Sequence, residues 1–124
     1  MSLDERPAVV MVVEDEALIR MDAVYVLEAE GHTVLEAESA DAALEILHHQ
    51  SDVDLIVTDV RMPGSMDGLG LARIVTERWP NVRIVVTSGF VSPSAFELPE
   101  KAKFFPKPYR LEQLVKSVND LLAA

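Results

Sequence analysis

A chain of 124 residues with 49% hydrophobic and 26% charged content fits a single globular domain. Its longest apolar runs are about six residues, whereas a membrane-spanning helix needs about 20, so neither a membrane span nor a signal peptide is expected. The formal net charge of −10 disfavours direct binding to nucleic acid or to anionic membranes, which requires Lys and Arg. The lack of Cys excludes disulfides and thiolate chemistry and is consistent with the cytoplasm.

Apolar runs alternate with helical patterns from the start of the chain. The continuous apolar run Ala8–Val13 predicts a strand buried on both faces, and Glu14-Asp15-Glu16 follows at its tip. The next segment has apolar residues near helical spacing at Leu18, Met21, Tyr25 and Leu27. A helix is therefore predicted over 17–30, ending at Gly31, with a second strand over 33–37.

A short apolar run that ends on a carboxylate lies in the middle of the chain. Ser39 is a candidate N-cap for the helix that precedes it. The run itself, Leu55–Asp59, predicts a third strand that delivers Asp59 to its C-terminal tip. Pro63-Gly64-Ser65 marks the following loop, and Asp67 can cap a third helix.

The last third of the chain contains two more predicted strands and a final helix. The strands cover 82–87, ending at Ser88-Gly89, and 103–105. Pro93 and Pro99 leave room for only a short or irregular fourth helix between these strands. A clear amphipathic pattern predicts the final helix over 110–122.

Strand and helix thus alternate five times. Such alternation predicts an α/β fold with βαβ units, a five-stranded parallel sheet and helices on both faces. Right-handed crossovers restrict the topology to a few doubly wound arrangements. In such sheets, ligand sites form outside the carboxyl ends of the strands.

Chemically active side chains follow four of the five predicted strands: Glu14 and Asp15, Asp59, Ser88, and Lys107. Two unit charges about 4 Å apart repel by roughly 4 kcal/mol at an effective dielectric near 20, so grouped carboxylates need a counter-charge. Magnesium prefers oxygen ligands, and a lysine can contact a phosphoryl oxygen. These groups could form an aspartyl phosphate by attack of an Asp carboxylate on phosphorus.

With these residues in order at the strand ends, the chain resembles the receiver domains of two-component response regulators from Val9 to Leu122. The features that carry the resemblance are Glu14-Asp15, Asp59, Met62-Pro63-Gly64, Ser88-Gly89 and Lys107-Pro108. The resemblance implies a flavodoxin-like sheet with strand order 2-1-3-4-5 and one receiver domain over 1–124.

The same resemblance implies a role for each matching residue. Asp59 would be the phosphoacceptor, and Ser88 and Lys107 would hold the phosphoryl oxygens. The Mg²⁺ ligands would be Glu14, Asp15, Asp59 and the backbone carbonyl of Arg61. Ser88 and Phe104 would form the conformational switch, and the Lys107–Pro108 peptide bond would be cis.

A receiver of this kind would take a phosphoryl group from a phosphohistidine on a sensor histidine kinase or histidine phosphotransfer protein. It would then act on a downstream protein, as a monomer or weak homodimer in the cytoplasm. It would be a signalling domain, not an enzyme with turnover on other substrates, although it catalyses its own phosphorylation and dephosphorylation. The chain is expected to be a stand-alone receiver or a fragment of a longer protein.

Three departures from the family pattern keep an alternative open. Glu14 stands where many members have Asp, Ser65 lengthens the loop after the third strand, and the fourth-helix region is short. The alternative is a phosphorylation-independent pseudo-receiver that acts as an interaction module. A phosphatase of the haloacid dehalogenase type is disfavoured because Arg61 stands where its second Asp is needed, and a flavin protein because no phosphate loop follows the first strand.

Overall fold

Parallel strands and helices alternate along the computed structural model, which describes residues 7–50, 52–89, 98–99 and 101–123. In chain order, the elements within these residues are β1 (Val9–Val13), α1 (Ala17–Ala29), β2 (Thr33–Ala37), α2 (Ala40–His49), β3 (Leu55–Asp59), α3 (Gly68–Arg78), β4 (Arg83–Ser88), β5 (Lys103–Pro106) and α4 (Leu111–Ala123). The sheet order is β2-β1-β3-β4-β5, and each neighbouring pair is parallel. The predicted doubly wound α/β fold is therefore confirmed.

The strands separate two apolar layers because successive side chains point to opposite faces of a sheet. On one face, Met11 and Ile56 pack with α2 and α3 through residues such as Leu71. On the other face, Val10 and Val57 pack with α1 and α4. All five residues of β1 and all five of β3 are buried, which explains why β1 is a continuous apolar run and why β3 is apolar up to Thr58 and Asp59 at its carboxyl end.

The predicted helix ends agree with the structure. The Ser39 hydroxyl accepts a hydrogen bond from the Ala42 amide at 3.1 Å, and the Asp67 carboxylate accepts one from the Gly70 amide at 2.9 Å. Gly31 follows α1 with a φ of 93°, a conformation that favours glycine.

None of the helices among the described residues is long and apolar enough to span a bilayer. The predicted short or irregular fourth helix falls mainly on residues 90–97 and 100, outside the described residues.

The first helix lies where its apolar pattern predicts, but most of that pattern faces solvent. Leu18, Met21 and Tyr25 are 77%, 58% and 73% exposed, and α1 instead buries Ala23 and Leu27. The small Ala23 side chain allows the helix to approach the sheet closely. A row of three large apolar side chains is thus left on the outer surface.

The register of the sheet brings the predicted site residues to one edge. Val13 pairs with Thr58, so Glu14 and Asp59 are the next residues on neighbouring strands. Asp59 pairs with Thr87, and Ser88 pairs with Pro106, immediately before Lys107. The carboxyl ends of β1, β3, β4 and β5 therefore meet at one edge.

Candidate functional site

The backbone around Asp59 is held closely by the start of α3. The Gly68 amide donates to the Val60 carbonyl at 2.9 Å. A Cβ at Gly68 would lie 1.9 Å from the Asp59 carbonyl oxygen, so no other residue fits there without movement of the backbone. The Thr58 hydroxyl also donates to that carbonyl at 3.0 Å. These contacts leave the Asp59 side chain on a rigid support at the strand tip.

Three carboxylates gather at this strand edge. Glu14 and Asp59 are 4% and 8% exposed, whereas Asp15 is exposed. One carboxylate oxygen from each residue lies within 4.8 Å of those from the other two. Several carboxylate oxygens around a small space are a donor set that a hard divalent cation prefers, and this acidic cluster could hold a metal ion.

Lys107 supplies the positive charge beside the acids. Its ammonium nitrogen lies 2.9 Å from Glu14 Oε1 and 3.2 Å from Asp59 Oδ2, and its side chain is 17% exposed. One ammonium cannot balance three carboxylates, so the cluster keeps a net negative charge. The peptide bond between Lys107 and Pro108 is cis, as the resemblance implies.

Burial shifts the proton affinities of these groups. It raises the pKa of the Glu14 and Asp59 carboxyls above their ordinary values, although Lys107 opposes the shift. Burial alone would lower the pKa of Lys107, but its hydrogen bond to Glu14 and the two negative charges raise that pKa instead. The acids thus have a reduced preference for the ionised state, and a cation would restore it.

Two more predicted residues are part of or next to this edge. Ser88 is buried at the end of β4, and its carbonyl accepts a hydrogen bond from the Lys107 amide at 2.8 Å. Arg61 is exposed in the loop that directly follows β3. The predicted switch residue, Phe104, is half-buried on β5 beside Val86.

Comparison with known proteins identifies the family. Residues 10–119 match the family described as Response regulator receiver domain. The chain is a response regulator receiver domain. Such domains are the receiving components of two-component signalling systems.

Relatives of this receiver domain include both a kinase and a receiver protein from Brucella abortus (strain 2308). The chain is 41% identical to Sensor kinase CckA over 119 residues, which cover 93% of the chain but only 12% of that kinase. It is 33% identical to Response regulator receiver protein CpdR over 119 residues, which cover 93% of the chain and 97% of CpdR. A response regulator receiver protein from Sinorhizobium medicae WSM419 has a solved structure that matches at a TM-score of 0.83 and 31% identity, covering 95% and 96% of the two chains.

Sequence reasoning missed one residue that supports the acid pair of the receiver domain. Arg20, in α1, donates from Nη1 to the Glu14 carbonyl at 2.7 Å and from Nε to Glu36 Oε1 at 3.0 Å. The Glu14 amide in turn donates to the Ala37 carbonyl at 3.0 Å. The end of β1 is therefore fixed from both α1 and β2. A lone Arg on a predicted helix gives no signal of this contact, because its long side chain reaches back across a full turn.

An open cleft of about 500 Å³ leads away from the site. It lies between α1, which contributes Ile19 and Asp22, and the segment that connects β5 to α4, which contributes Lys107 and Tyr109. One wall thus includes Lys107 from the acidic site. The other wall is formed by α1, the helix that also carries the exposed side chains of Leu18, Met21 and Tyr25. The cleft gives a second molecule space to approach Lys107.

Proposed function

We propose that this receiver domain accepts a phosphoryl group on Asp59 from a phosphohistidine of a sensor histidine kinase or a histidine phosphotransfer protein, and that Mg²⁺ is required. The observation that carries the proposal is the position of Asp59: a buried carboxylate at a strand tip, 3.2 Å from Lys107 and grouped with two further acids. The whole region 1–124 is assigned to this one domain.

Asp59 acts as the nucleophile in the proposed reaction. One of its carboxylate oxygens attacks the phosphorus atom, so that an O–P bond forms while the P–N bond to the donor imidazole breaks and its electron pair returns to the ring nitrogen. Lys107 is released from its pairing with the acids and donates to a phosphoryl oxygen. Ser88, at the end of the neighbouring strand, donates to another.

The acid cluster fits a magnesium ion because it offers carboxylate oxygens and carries excess negative charge. Glu14, Asp15, Asp59 and the backbone carbonyl of Arg61 would hold the ion. When bound, Mg²⁺ neutralises charge on the transferring phosphoryl group. Asp59 needs no general base when it attacks as the carboxylate, which is the form that the ion and the Lys107 ammonium favour.

Phosphorylation would switch a protein-binding surface through Ser88 and Phe104. The phosphoryl group adds about −1.5 to −2 charges at Asp59, which draws the Ser88 hydroxyl towards it. Phe104 is half-buried and one strand away from the Ser88 backbone, so it can respond to the space that Ser88 leaves. The equilibrium between two conformations shifts by the difference in their affinity for the phosphoryl group, and a downstream protein recognises one of them.

Intact mass spectrometry after incubation with acetyl phosphate tests the proposal. We expect the protein to gain one phosphoryl group in the presence of Mg²⁺, and no gain in EDTA or in the Asp59→Asn variant. Asp52→Asn is a matched control, because Asp52 is an exposed carboxylate before the same strand. Phosphorylation that persists in Asp59→Asn at the wild-type rate would refute the assignment. No gain from acetyl phosphate or from a phosphorylated histidine kinase would favour a phosphorylation-independent interaction module.

A further inference from the structure

The loop between β3 and α3 carries Arg61 and is closed at its base. The Gly68 amide bonds to the Val60 carbonyl at 2.9 Å, which brings the two ends of the loop together. Met62 and Met66 pack against the core, and they hold the two arms of the loop. The tip, Gly64-Ser65, lies between these arms and depends on other contacts.

A single carboxylate from another helix holds that tip. The Ser65 hydroxyl donates to Asp41 Oδ1 at 2.8 Å, and the Ser65 amide lies 3.3 Å from Asp41 Oδ2 as a second donor. Gly64 has a φ of 112°, and a Cβ there would lie 3.0 Å from Asp41 Oδ2. Both carboxylate oxygens of Asp41 therefore face the tip of the loop, and glycine permits the close approach.

Asp41 is a firm anchor because α2 is packed on both sides of it. Ala40 and Ala43 are fully buried in the core. Asp41 lies in the first turn of α2, where the helix dipole favours a negative charge. By the resemblance, Ser65 is also the residue that lengthens this loop relative to the common family pattern.

We propose that Asp41 is a positioning residue, which through Ser65 fixes the loop that carries Arg61 and thereby sets the Mg²⁺ affinity of the acid cluster. The inference rests on the proposed function, in which the Arg61 carbonyl is a metal ligand. Loss of the contact frees the tip, so that the arm that carries Arg61 is held at that end by the packing of Met62 without the tip. The carbonyl of Arg61 then samples more positions in the metal-free protein. Metal binding has to restrict these positions, and the entropy lost in doing so lowers the Mg²⁺ affinity.

Mg²⁺ titration of the unphosphorylated protein by calorimetry tests this role. We expect the Kd to rise about tenfold in Asp41→Ala, the lower end of the loss seen when an outer-shell partner is removed. Ser65→Ala is the sharper variant because it changes no charge, and it should also weaken binding. Glu45→Ala, which removes an exposed acid one turn along α2, controls for the loss of one negative charge and should leave the Kd within about twofold.

Two further readouts separate positioning from general destabilisation. In the double variant, the effects of Asp41→Ala and Ser65→Ala should fall short of additive, because the residues share one contact. Hydrogen exchange of the Ser65 amide in metal-free protein should become faster in Asp41→Ala, while amides of β3 should not change. Faster exchange with unchanged Mg²⁺ affinity would overturn the inference and leave the proposed function intact. If the wild type itself binds no Mg²⁺, or binds it equally after Asp15→Ala, the proposed function fails and this inference fails with it.

Discussion

At the scale of single residues, the acid cluster places function and stability in opposition. Burial raises the pKa of Asp59, which means that the ionised carboxylate is less favourable in the folded protein than in the unfolded chain, even with Lys107 3.2 Å away. A residue that served only the stability of the core would instead be more favourable in the folded protein than in the unfolded chain. Sites that hold charges for chemistry commonly reduce stability in this way.

Asp59→Asn should therefore stabilise the metal-free protein, by about 1 kcal/mol, because it removes a buried charge and keeps the shape of the side chain. Chemical denaturation in EDTA measures the free energy of unfolding of both proteins. In excess Mg²⁺ the difference in free energy of unfolding between the two proteins should become smaller or change sign, since only the wild type is fully stabilised by metal binding. Asp52→Asn, on the surface, should change little in either condition. A less stable Asp59→Asn protein in EDTA would contradict the account of the site.

Residues differed in how well the sequence predicted their surroundings. Asp59 and Lys107 could be assigned to one place because the topology of a parallel sheet alone brings strand ends together. Arg20 and Asp41 could not, because their contacts with Glu14 and Ser65 depend on the distances between elements and on side-chain reach. The roles of all the predicted site residues stay predictions, including those of Ser88, Phe104 and the Arg61 carbonyl.

At the scale of elements, α1 shows where periodicity stops being informative. Apolar residues occur on more than one side of this helix, so the pattern predicts the helix but not its buried face. Packing selects Ala23 and Leu27 and leaves Leu18, Met21 and Tyr25 exposed. These three lie at spacings of three and four residues, which places them on one stripe of the helix surface. The cleft that contains Lys107 is lined on this helix by Ile19 and Asp22, the sequence neighbours of Leu18 and Met21.

The exposed stripe is expected to contact a protein phosphodonor. Leu18 and Met21 can both be replaced by Gln, which preserves helix propensity. With a sensor kinase that phosphorylates the wild type, this change should slow phosphoryl transfer tenfold or more, a loss of interaction energy on the order of 1 to 2 kcal/mol. Phosphorylation by acetyl phosphate should be unchanged, because a small donor makes no contact there. Glu77→Gln on α3 serves as an exposed control on the opposite face of the sheet. Equal slowing with both donors would show that the substitutions disturb the site itself.

At the scale of the whole molecule, acidity makes stability depend on pH and on metal together. The formal net charge of −10 means that self-repulsion falls as the pH is lowered. The acid cluster adds a local effect of the same sign. The ordinary pKa values are 4.5 for Glu14 and 3.8 for Asp59, and both are raised in the folded protein. Lys107 does not enter this range, because its pKa rises from an ordinary value of 10.5.

In the window between the ordinary and the raised pKa values, the folded protein binds more protons than the unfolded chain. Stability rises with pH only where the unfolded state binds more protons, so the contribution of Glu14 and Asp59 must fall as the pH rises through this window. Lowering the pH from 7 towards 4.5, the ordinary pKa of Glu14, should therefore stabilise the wild type in EDTA more than a Glu14→Gln/Asp59→Asn variant. This variant shares every other acid and so isolates these two. In saturating Mg²⁺ the difference should change sign, because the metal binds the ionised carboxylates and competes with protons. Parallel pH profiles for the two proteins in EDTA would mean that burial of these carboxyls does not govern the energetics of the site.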